Sequence, residues 1–347
     1  MAFDLSGALA DLRSRVTAKA GPRKNGTLGR ALIMTHDNPD PDSLAAAIGL
    51  RRLLEVNQME AVVALGGIIG RAENRAMVRE LKIDLVPFER LNLDEFQAYA
   101  LVDTQPLTGN NSLPHDRGCD IVVDHHPLRA TTPEVPWRDI RPEMGATATI
   151  VYEYLKEANI ALDKNLSTAF LYALKSETRD LGREAGEEER DAYVELMTQA
   201  DLERLYAITN PKLAREHFVA LDRALRFAVA WGDLLAINLG ALDYPDLVAE
   251  VADLMLPYEK CHWVLCVGQH KGTIYLSMRT DLTNTSAGSL IRRVVGSSGA
   301  AGGHGMVAGG RMFGVVRTED DLKLAYDDLV ARTCQELKIS ASPTPLL

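Results

Sequence analysis

The stretch between residues 30 and 125 constrains the fold most, because short apolar runs alternate there with helical patterns. The runs have the length and composition of buried strands, and the patterns between them have the length of helices. Such alternation is typical of parallel strands joined by crossover helices, and it predicts an α/β fold built on a parallel sheet. The predicted strands are ALIMT, EAVVALGG, YALVDT and CDIVVDHH, and the predicted helices are SLAAAIGLRRLLE and RAENRAMVREL.

Strand patterns return after residue 230, beyond a mostly helical stretch at 145–230. CHWVLCVGQ and GTIYLSMR predict a hairpin around HKG, and helical patterns flank this hairpin on both sides. We therefore predict a second, smaller α/β domain. The predicted segments are an amino-terminal helix and connector at 1–29, a first domain at 30–200, a helical linker at 201–230 and a second domain at 231–335.

Composition and charge limit the class of protein. The 347 residues are 46% hydrophobic and 25% charged, as in ordinary globular proteins. No apolar stretch reaches the length of a membrane span and no signal-peptide pattern is evident, so we expect a cytoplasmic protein without a membrane partner. The net charge of −10 argues against binding long duplex nucleic acid through a basic face. The four scattered cysteines favour reduced thiols over disulfides or a zinc site.

Metal-type ligands follow three of the predicted strands, at the point where each strand ends. Ligands of an open α/β sheet bind at the carboxyl ends of its strands, so we expect these side chains to meet. Converging carboxylates repel one another and take up protons unless a cation compensates them. A mixed set of oxygen and imidazole ligands suits Mn²⁺, and Mg²⁺, Co²⁺ or Fe²⁺ are compatible alternatives. The candidates are His36, Asp37, Asp40 and Asp42, then Asp103, and finally Asp124, His125 and His126.

The segment THDNPDPDS at 35–43 suggests how the first group converges. Pro39 and Pro41 stiffen the turn, and Ser43 is placed to cap the following helix. An aspartate that bridged two ions would hold them about 3.5–4 Å apart, the spacing of two-metal hydrolytic centres. Asp, Asn and Pro also form ordinary turns, so each strand end by itself has a structural alternative. The three strand ends together favour the metal site.

These motifs resemble those of a known family. HDNPDPDS, VDTQP, VDHHP and GATATIVYEYL resemble, in order, the motifs of the DHH phosphoesterases, and AGGHGMVAGG resembles the glycine-rich motif of the DHH-associated C-terminal domain. The resemblance includes proteins of the nanoRNase, pAp-phosphatase and exopolyphosphatase-related types. It implies a parallel-sheet DHH-type domain that binds Mn²⁺, and a smaller α/β domain that faces it across a cleft and grips the substrate phosphate.

The resemblance also implies roles for individual residues. Relatives usually carry a last metal-binding aspartate in an SDTG- or TDT-like segment, where this chain has LKSETRDLGREAG. The alignment places Glu177 at that position, and Asp180 is the alternative three residues later. A solvated charged cap is a third interpretation of this segment. The implied metal ligands are His36, Asp40, Asp42, Asp103, His125 and Glu177 or Asp180, and the implied supporting or catalytic residues are Asp124 and His126.

Two segments of the second domain carry the expected substrate contacts. Ser277 and Arg279 share one face of a strand, since side chains alternate along it. Arg279 resembles the family's SxR arginine, which can fork onto phosphate oxygens. Gly303 allows close approach of a ligand to the backbone, and His304 is placed to donate to a phosphate.

The expected function is hydrolysis of short phosphorylated nucleotides by a hydroxide that bridges two Mn²⁺ ions. Short oligoribonucleotides, linear or cyclic dinucleotides and pAp are the expected substrates. Inorganic pyrophosphatase or exopolyphosphatase activity is one alternative, and a nucleotide sensor without turnover is another, which the Glu177 departure allows. The sequence is compatible with a homodimer.

Overall fold

The computed structural model describes residues 3–20, 26–130, 132, 134–314 and 316–347, without the side chain of His304. The chain divides into two compact units, Met1–Pro211 and Lys212–Leu347. The residues expected to form a helical linker, 201–230, are therefore shared between the two units. Among the described residues, no helix is both long and apolar enough to cross a membrane.

The first unit is built on a six-stranded parallel sheet with the order β3-β2-β1-β4-β5-β6. This sheet confirms the predicted α/β class. Its strands are β1 (Gly29–Met34), β2 (Met59–Leu65), β3 (Val86–Pro87), β4 (Ala98–Val102), β5 (Ile121–Asp124) and β6 (Trp137–Ile140). Its helices are α1 (Leu5–Ala20), α2 (Pro41–Val56), α3 (Ala72–Leu81), α4 (Thr147–Glu157), α5 (Lys164–Glu177), α6 (Glu187–Gln199) and α7 (Leu202–Thr209).

The register of the sheet brings three strand ends together. Met34 of β1 pairs with Leu101 of β4, and Val102 of β4 pairs with Val123 of β5. Because these strands are parallel neighbours, the chain leaves all three at the same edge of the sheet. The residues that follow β1, β4 and β5 are the ones with metal-type side chains.

Helix α2 is the central helix of the core, and it packs against α4 and α5. Most of its residues are buried, which is why its sequence is apolar almost all round. Gly49 lies where a Cβ atom would come within 2.5 Å of the Phe170 ring, so a larger residue would separate α2 from α5. The start of α2 is thereby held firmly beside the strand ends.

The second unit contains a mixed seven-stranded sheet with the order β11-β12-β10-β9-β8-β7-β13. The predicted hairpin around HKG is present as β9 and β10. Its strands are β7 (Val229–Trp231), β8 (Leu234–Ala241), β9 (Trp263–His270), β10 (Thr273–Thr280), β11 (Gly299–His304), β12 (Val307–Met312) and β13 (Thr344–Pro345). Its helices are α8 (Arg215–Phe227), α9 (Leu247–Met255), α10 (Ala287–Val295) and α11 (Glu319–Leu337).

The glycine-rich stretch forms the antiparallel hairpin β11–β12, although its composition gave no strand signal. Backbone pairing of β12 with β10 holds this hairpin in the sheet. Glycine is required where α10 crosses it, because a Cβ atom on Gly288 would lie 1.9 Å from the carbonyl oxygen of Gly303. Close backbone approach therefore accounts for Gly288 of α10.

Candidate metal centre

Asp40 links the first strand end to helix α2. Its Oδ1 accepts a hydrogen bond from the Ser43 backbone N–H at 2.9 Å, and its own N–H donates to Ser43 Oγ at 3.1 Å. Asp40 is therefore the N-cap of α2 and Ser43 its reciprocal partner, a correction to the predicted cap at Ser43. The second oxygen, Oδ2, lies 3.6 Å from His36 Nε2. One carboxylate thus fixes the helix and also faces the imidazole.

Asp37 has a different role in the same loop. Its Oδ1 accepts a hydrogen bond from Ser112 Oγ at 2.7 Å, and its N–H donates to the carbonyl of Asn110 at 2.6 Å. These bonds tie the segment after β1 to the segment around residues 110–112. Asp37 braces the loop that carries His36, and it is not one of the residues that the structure brings into the metal-type groups.

Asp103 occupies the middle of the arrangement. It is 3% exposed and has a φ of 57°, a left-handed conformation that is uncommon outside glycine. Its Oδ2 lies 3.5 Å from His36 Nε2. Its Oδ1 lies 3.6 Å from His125 Nε2 and 3.5 Å from His126 Nδ1. The unusual backbone at the end of β4 therefore coincides with a carboxylate that faces imidazoles on both sides.

Backbone carbonyls orient two of these imidazoles. His36 Nδ1 donates to the carbonyl of Asp37 at 3.0 Å, and His125 Nδ1 donates to the carbonyl of Met144 at 3.2 Å. A carbonyl oxygen only accepts, so the proton is on Nδ1 and Nε2 is the nitrogen that faces Asp103. Metal-binding histidines are commonly held in this way.

The side chains form two groups with the spacing of metal ligands. In each group, one ligand atom per residue lies within 4.8 Å of the others. The separations of 3.5–3.6 Å between Nε2 and the Asp103 oxygens are too long for good hydrogen bonds. The groups are His36, Asp40 and Asp103, and Asp103, His125 and His126.

Asp42 is buried beside these groups and caps another helix. Its two oxygens accept hydrogen bonds from the N–H groups of Thr147 at 2.8 Å and Ala148 at 2.7 Å, the first residues of α4. Burial, together with the negative charges of Asp103 and Asp40, raises its pKa well above the usual value. Asp42 is outside the two groups that the described residues form. The amino terminus of α4 holds its charge in place.

Thr147 connects the carboxylates to the third strand end. Its Oγ1 donates to Asp103 Oδ1 at 2.9 Å and accepts from the His125 backbone N–H at 3.2 Å. The sequence analysis did not single out this threonine. The sequence feature that could have identified it is its position directly after GA in GATATIVYEYL, where a helix begins beside the site.

Glu177 and Asp180 lie in different surroundings. Burial and the charges of Asp40 and Asp103 raise the pKa of Glu177, while His125 and Arg183 oppose the shift. Arg183 Nη2 donates to the Glu177 carbonyl at 2.6 Å and is itself buried, whereas Arg179 and Asp180 are exposed, so only part of this segment is a solvated cap. Asp180, with 59% of its side chain exposed, pairs with Lys175. Neither acid belongs to the two groups of ligand atoms, but the negative charges of Asp40 and Asp103, which belong to those groups, act on Glu177.

Asp124 orients the His126 ring through a hydrogen bond. Its Oδ1 accepts from His126 Nδ1 at 2.9 Å, and its Oδ2 accepts from Gln105 Nε2 at 2.7 Å. Burial opposes protonation of His126, but the Asp124 hydrogen bond and the charge of Asp103 raise its pKa to about 9. Both oxygens of Asp124 are thus engaged in orienting neighbours.

The donor set fits a divalent cation. Carboxylate oxygens and imidazole nitrogens together suit Mn²⁺ and related ions. The raised pKa values of Asp42 and Glu177 arise from burial and mutual repulsion of negative charge. A divalent cation would offset that repulsion.

Sequence comparison identifies a domain in the first unit. Residues 30–174 match the sequence model of the DHH family, N-terminal domain. This part of the chain is a DHH-family domain. The chain is 32% identical over 293 residues to an uncharacterized protein of Methanocaldococcus jannaschii. That match covers 84% of the chain and 59% of the relative, so the chain spans less than two thirds of that relative's length.

Two further proteins match this chain over most of their own length. A probable manganese-dependent inorganic pyrophosphatase of Bacillus cytotoxicus is 26% identical over 283 residues, covering 76% of this chain and 86% of the relative. The crystal structure of an exopolyphosphatase-related protein from Bacteroides fragilis has a TM-score of 0.72 at 15% identity. It covers 96% of this chain and 98% of that one. At this identity the structural likeness shows the fold alone.

The second unit of the chain holds Arg279 in an internal network. Its Nε donates to Asp253 Oδ1 at 2.6 Å, and its Nη1 donates to Ser277 Oγ at 2.6 Å and to the carbonyl of Ala308 at 3.1 Å. Both Ser277 and Arg279 are buried. A substrate phosphate at Nε would have to replace Asp253. Gly303 lies in β11 with a φ of 142°, and the side chain of His304 is outside the described residues.

Proposed function

We propose that this chain is a metal-dependent phosphoesterase that hydrolyses short phosphorylated nucleotides and uses two Mn²⁺ ions. The position of Asp103 carries the proposal, because it belongs to both groups of ligand atoms. Its Oδ2 faces His36 and its Oδ1 faces His125. A carboxylate shared in this way is what a two-metal centre requires.

The residues proposed to hold the ions come from three strand ends and two helix ends. When bound, the ions would lower the pKa of a water molecule and neutralise charge on the phosphoryl oxygens. Asp124 keeps a proton on His126 Nδ1, so Nε2 is the atom at which this ring would take up or release a proton. The proposed ligands are His36, Asp40, Asp42, Asp103, His125 and Glu177.

Nucleotides are proposed as substrates because of the charge of the second unit. Arg279 is the arginine expected to bind phosphate. Its positive charge is offset by the carboxylate of Asp253, which lies 2.6 Å from Arg279 Nε. That pairing lowers the positive charge offered to a small, highly charged anion, and it favours a substrate with additional sugar and base contacts. The net charge of −10 over the chain also disfavours binding of a bare anion.

Inorganic pyrophosphate is the second candidate substrate. The observation in its favour is the relative of Bacillus cytotoxicus, a probable manganese-dependent inorganic pyrophosphatase that aligns with 76% of this chain. A sensor that binds nucleotides without turnover is the third candidate, and Glu177 in place of the usual aspartate is its basis.

A substrate panel tests these candidates. Metal-free protein is supplied with Mn²⁺ and assayed with pApA, pAp, pyrophosphate and polyphosphate, with release of phosphate or mononucleotide as the readout. We expect turnover of pApA or pAp that is lost in Asp103→Ala. Turnover of pyrophosphate alone would transfer the proposal to the second candidate, and tight nucleotide binding without any product would reject the enzyme.

A further inference from the structure

Gln105 is a buried residue for which the proposed chemistry gives no role. It follows Asp103 by two positions in VDTQP and is 1% exposed. A buried primary amide needs partners for two donors and one carbonyl oxygen, so its bonds show what it holds. In this chain those bonds join the turn after β4 to the segment after β5.

The amide nitrogen faces acceptors. Gln105 Nε2 donates to Asp124 Oδ2 at 2.7 Å and to the carbonyl of Pro127 at 3.2 Å. The carbonyl of His126 lies 3.4 Å from the same nitrogen. The short bond to Asp124 is charge-assisted and is the strongest of the three.

The amide oxygen faces donors. Gln105 Oε1 accepts from the Arg129 backbone N–H at 2.9 Å and from Thr132 Oγ1 at 2.7 Å. A backbone N–H only donates and the carboxylate of Asp124 accepts, so one orientation of the amide satisfies both ends. Glutamate would place a second carboxylate against Asp124, and asparagine is one methylene too short to reach both segments.

We propose that Gln105 is a positioning residue that acts on His126 through Asp124. Gln105 holds Oδ2 of Asp124, which leaves Oδ1 directed at Nδ1 of His126. That bond sets the orientation of the imidazole next to Asp103. The expected loss of kcat on substituting Gln105 rests on the proposed function, whereas the expected loss of Mn²⁺ affinity does not.

Two substitutions test this role. Gln105→Glu keeps the shape and the oxygen that accepts from Arg129 and Thr132, and it removes the donor to Asp124. Gln105→Met removes the bonds at both ends. Thr132→Val is the matched control, because it removes a bond of Gln105 on the side away from Asp124.

Three measurements are made on each variant: Mn²⁺ affinity by electron paramagnetic resonance titration of the metal-free protein, kcat and KM for pApA, and urea unfolding. His126 belongs to the second group of metal-type side chains, and loss of a hydrogen-bond partner behind such a group lowers metal affinity or activity by about 10–100-fold. We expect both Gln105 variants to lose Mn²⁺ affinity and kcat in that range, with KM close to wild type. Thr132→Val should resemble wild type.

Several results would overturn the inference. A folded Gln105→Glu with wild-type Mn²⁺ affinity and kcat would do so, and so would a Thr132→Val variant that loses as much as the Gln105 variants. Unfolding of both Gln105 variants would also contradict it, since the amide would then support the whole domain. If the wild-type chain turns over no substrate, the proposed function fails and the Mn²⁺ titration alone still decides the role of Gln105.

Discussion

Replacing Thr147 with valine removes one hydroxyl from the candidate metal centre at nearly constant volume. Thr147 Oγ1 donates to Asp103 at 2.9 Å and accepts from the His125 N–H at 3.2 Å. A hydrogen bond to a charged group contributes about 1.5–3 kcal/mol, and a buried N–H left unsatisfied costs about 1–3 kcal/mol. The added methyl group offsets about 0.8 kcal/mol. The free energy of unfolding of the metal-free protein should therefore fall by about 2–5 kcal/mol.

Thr149→Val is the matched control for this prediction. Thr149 lies two residues further along α4 and is equally buried, but its hydroxyl makes no hydrogen bond within the described part of the chain. Removing a buried, unsatisfied hydroxyl should leave stability unchanged or increase it. Urea unfolding followed by circular dichroism measures both variants. Equal destabilisation by the two substitutions would refute the assigned role of Thr147, because side-chain shape alone would then account for the loss.

Three further predictions concern the ligands themselves. Asp103→Ala should abolish Mn²⁺ binding in calorimetry and hydrolysis in the panel assay while circular dichroism stays native; near wild-type turnover would contradict the shared ligand. Glu177→Asp should change the preference among Mn²⁺, Mg²⁺ and Co²⁺ in the activity assay, whereas Asp180→Asn should not, and the reverse outcome would reassign the last ligand. Burial opposes protonation of His36, but the facing carboxylates of Asp103 and Asp40 raise its pKa well above the usual value. The protonated ring thus stabilises the metal-free fold below a pH of about 6.5, and this stability is lost as the pH rises through the raised pKa. Mn²⁺ binding must displace that proton, so affinity should rise with pH and protons should be released into a weakly buffered solution. A pH-independent affinity would count against His36 as a ligand.

The fold of the first unit could be predicted because its signals are local. Alternating apolar runs and helical patterns gave β1, α2, β2, α3, β4 and β5, and parallel pairing then placed their carboxyl ends at one edge. His36, Asp103 and His125 lie together for that reason alone.

Other features depend on contacts between distant segments. Asp42 has the sequence signal of a metal ligand, but the sequence does not show that both of its oxygens accept from the amino terminus of α4, more than a hundred positions away. The ion pair of Arg279 with Asp253 joins β10 to α9. Periodicity and motif spacing describe neighbours along the chain, so they could not show which partners these two charges find.

The glycine-rich hairpin illustrates a third limit. Glycine has low strand propensity, and β11–β12 forms because β10 offers a backbone edge and because α10 approaches Gly303 closely. Tertiary structure therefore determined this element against its local preference.

Anomalous diffraction at the manganese edge, from crystals grown or soaked with Mn²⁺, tests the central claim most directly. We predict two manganese peaks with Asp103 between them, one beside His36 and Asp40 and the other beside His125. Peaks confined to surface carboxylates, or no peak beside Asp103 at saturating Mn²⁺, would contradict the account.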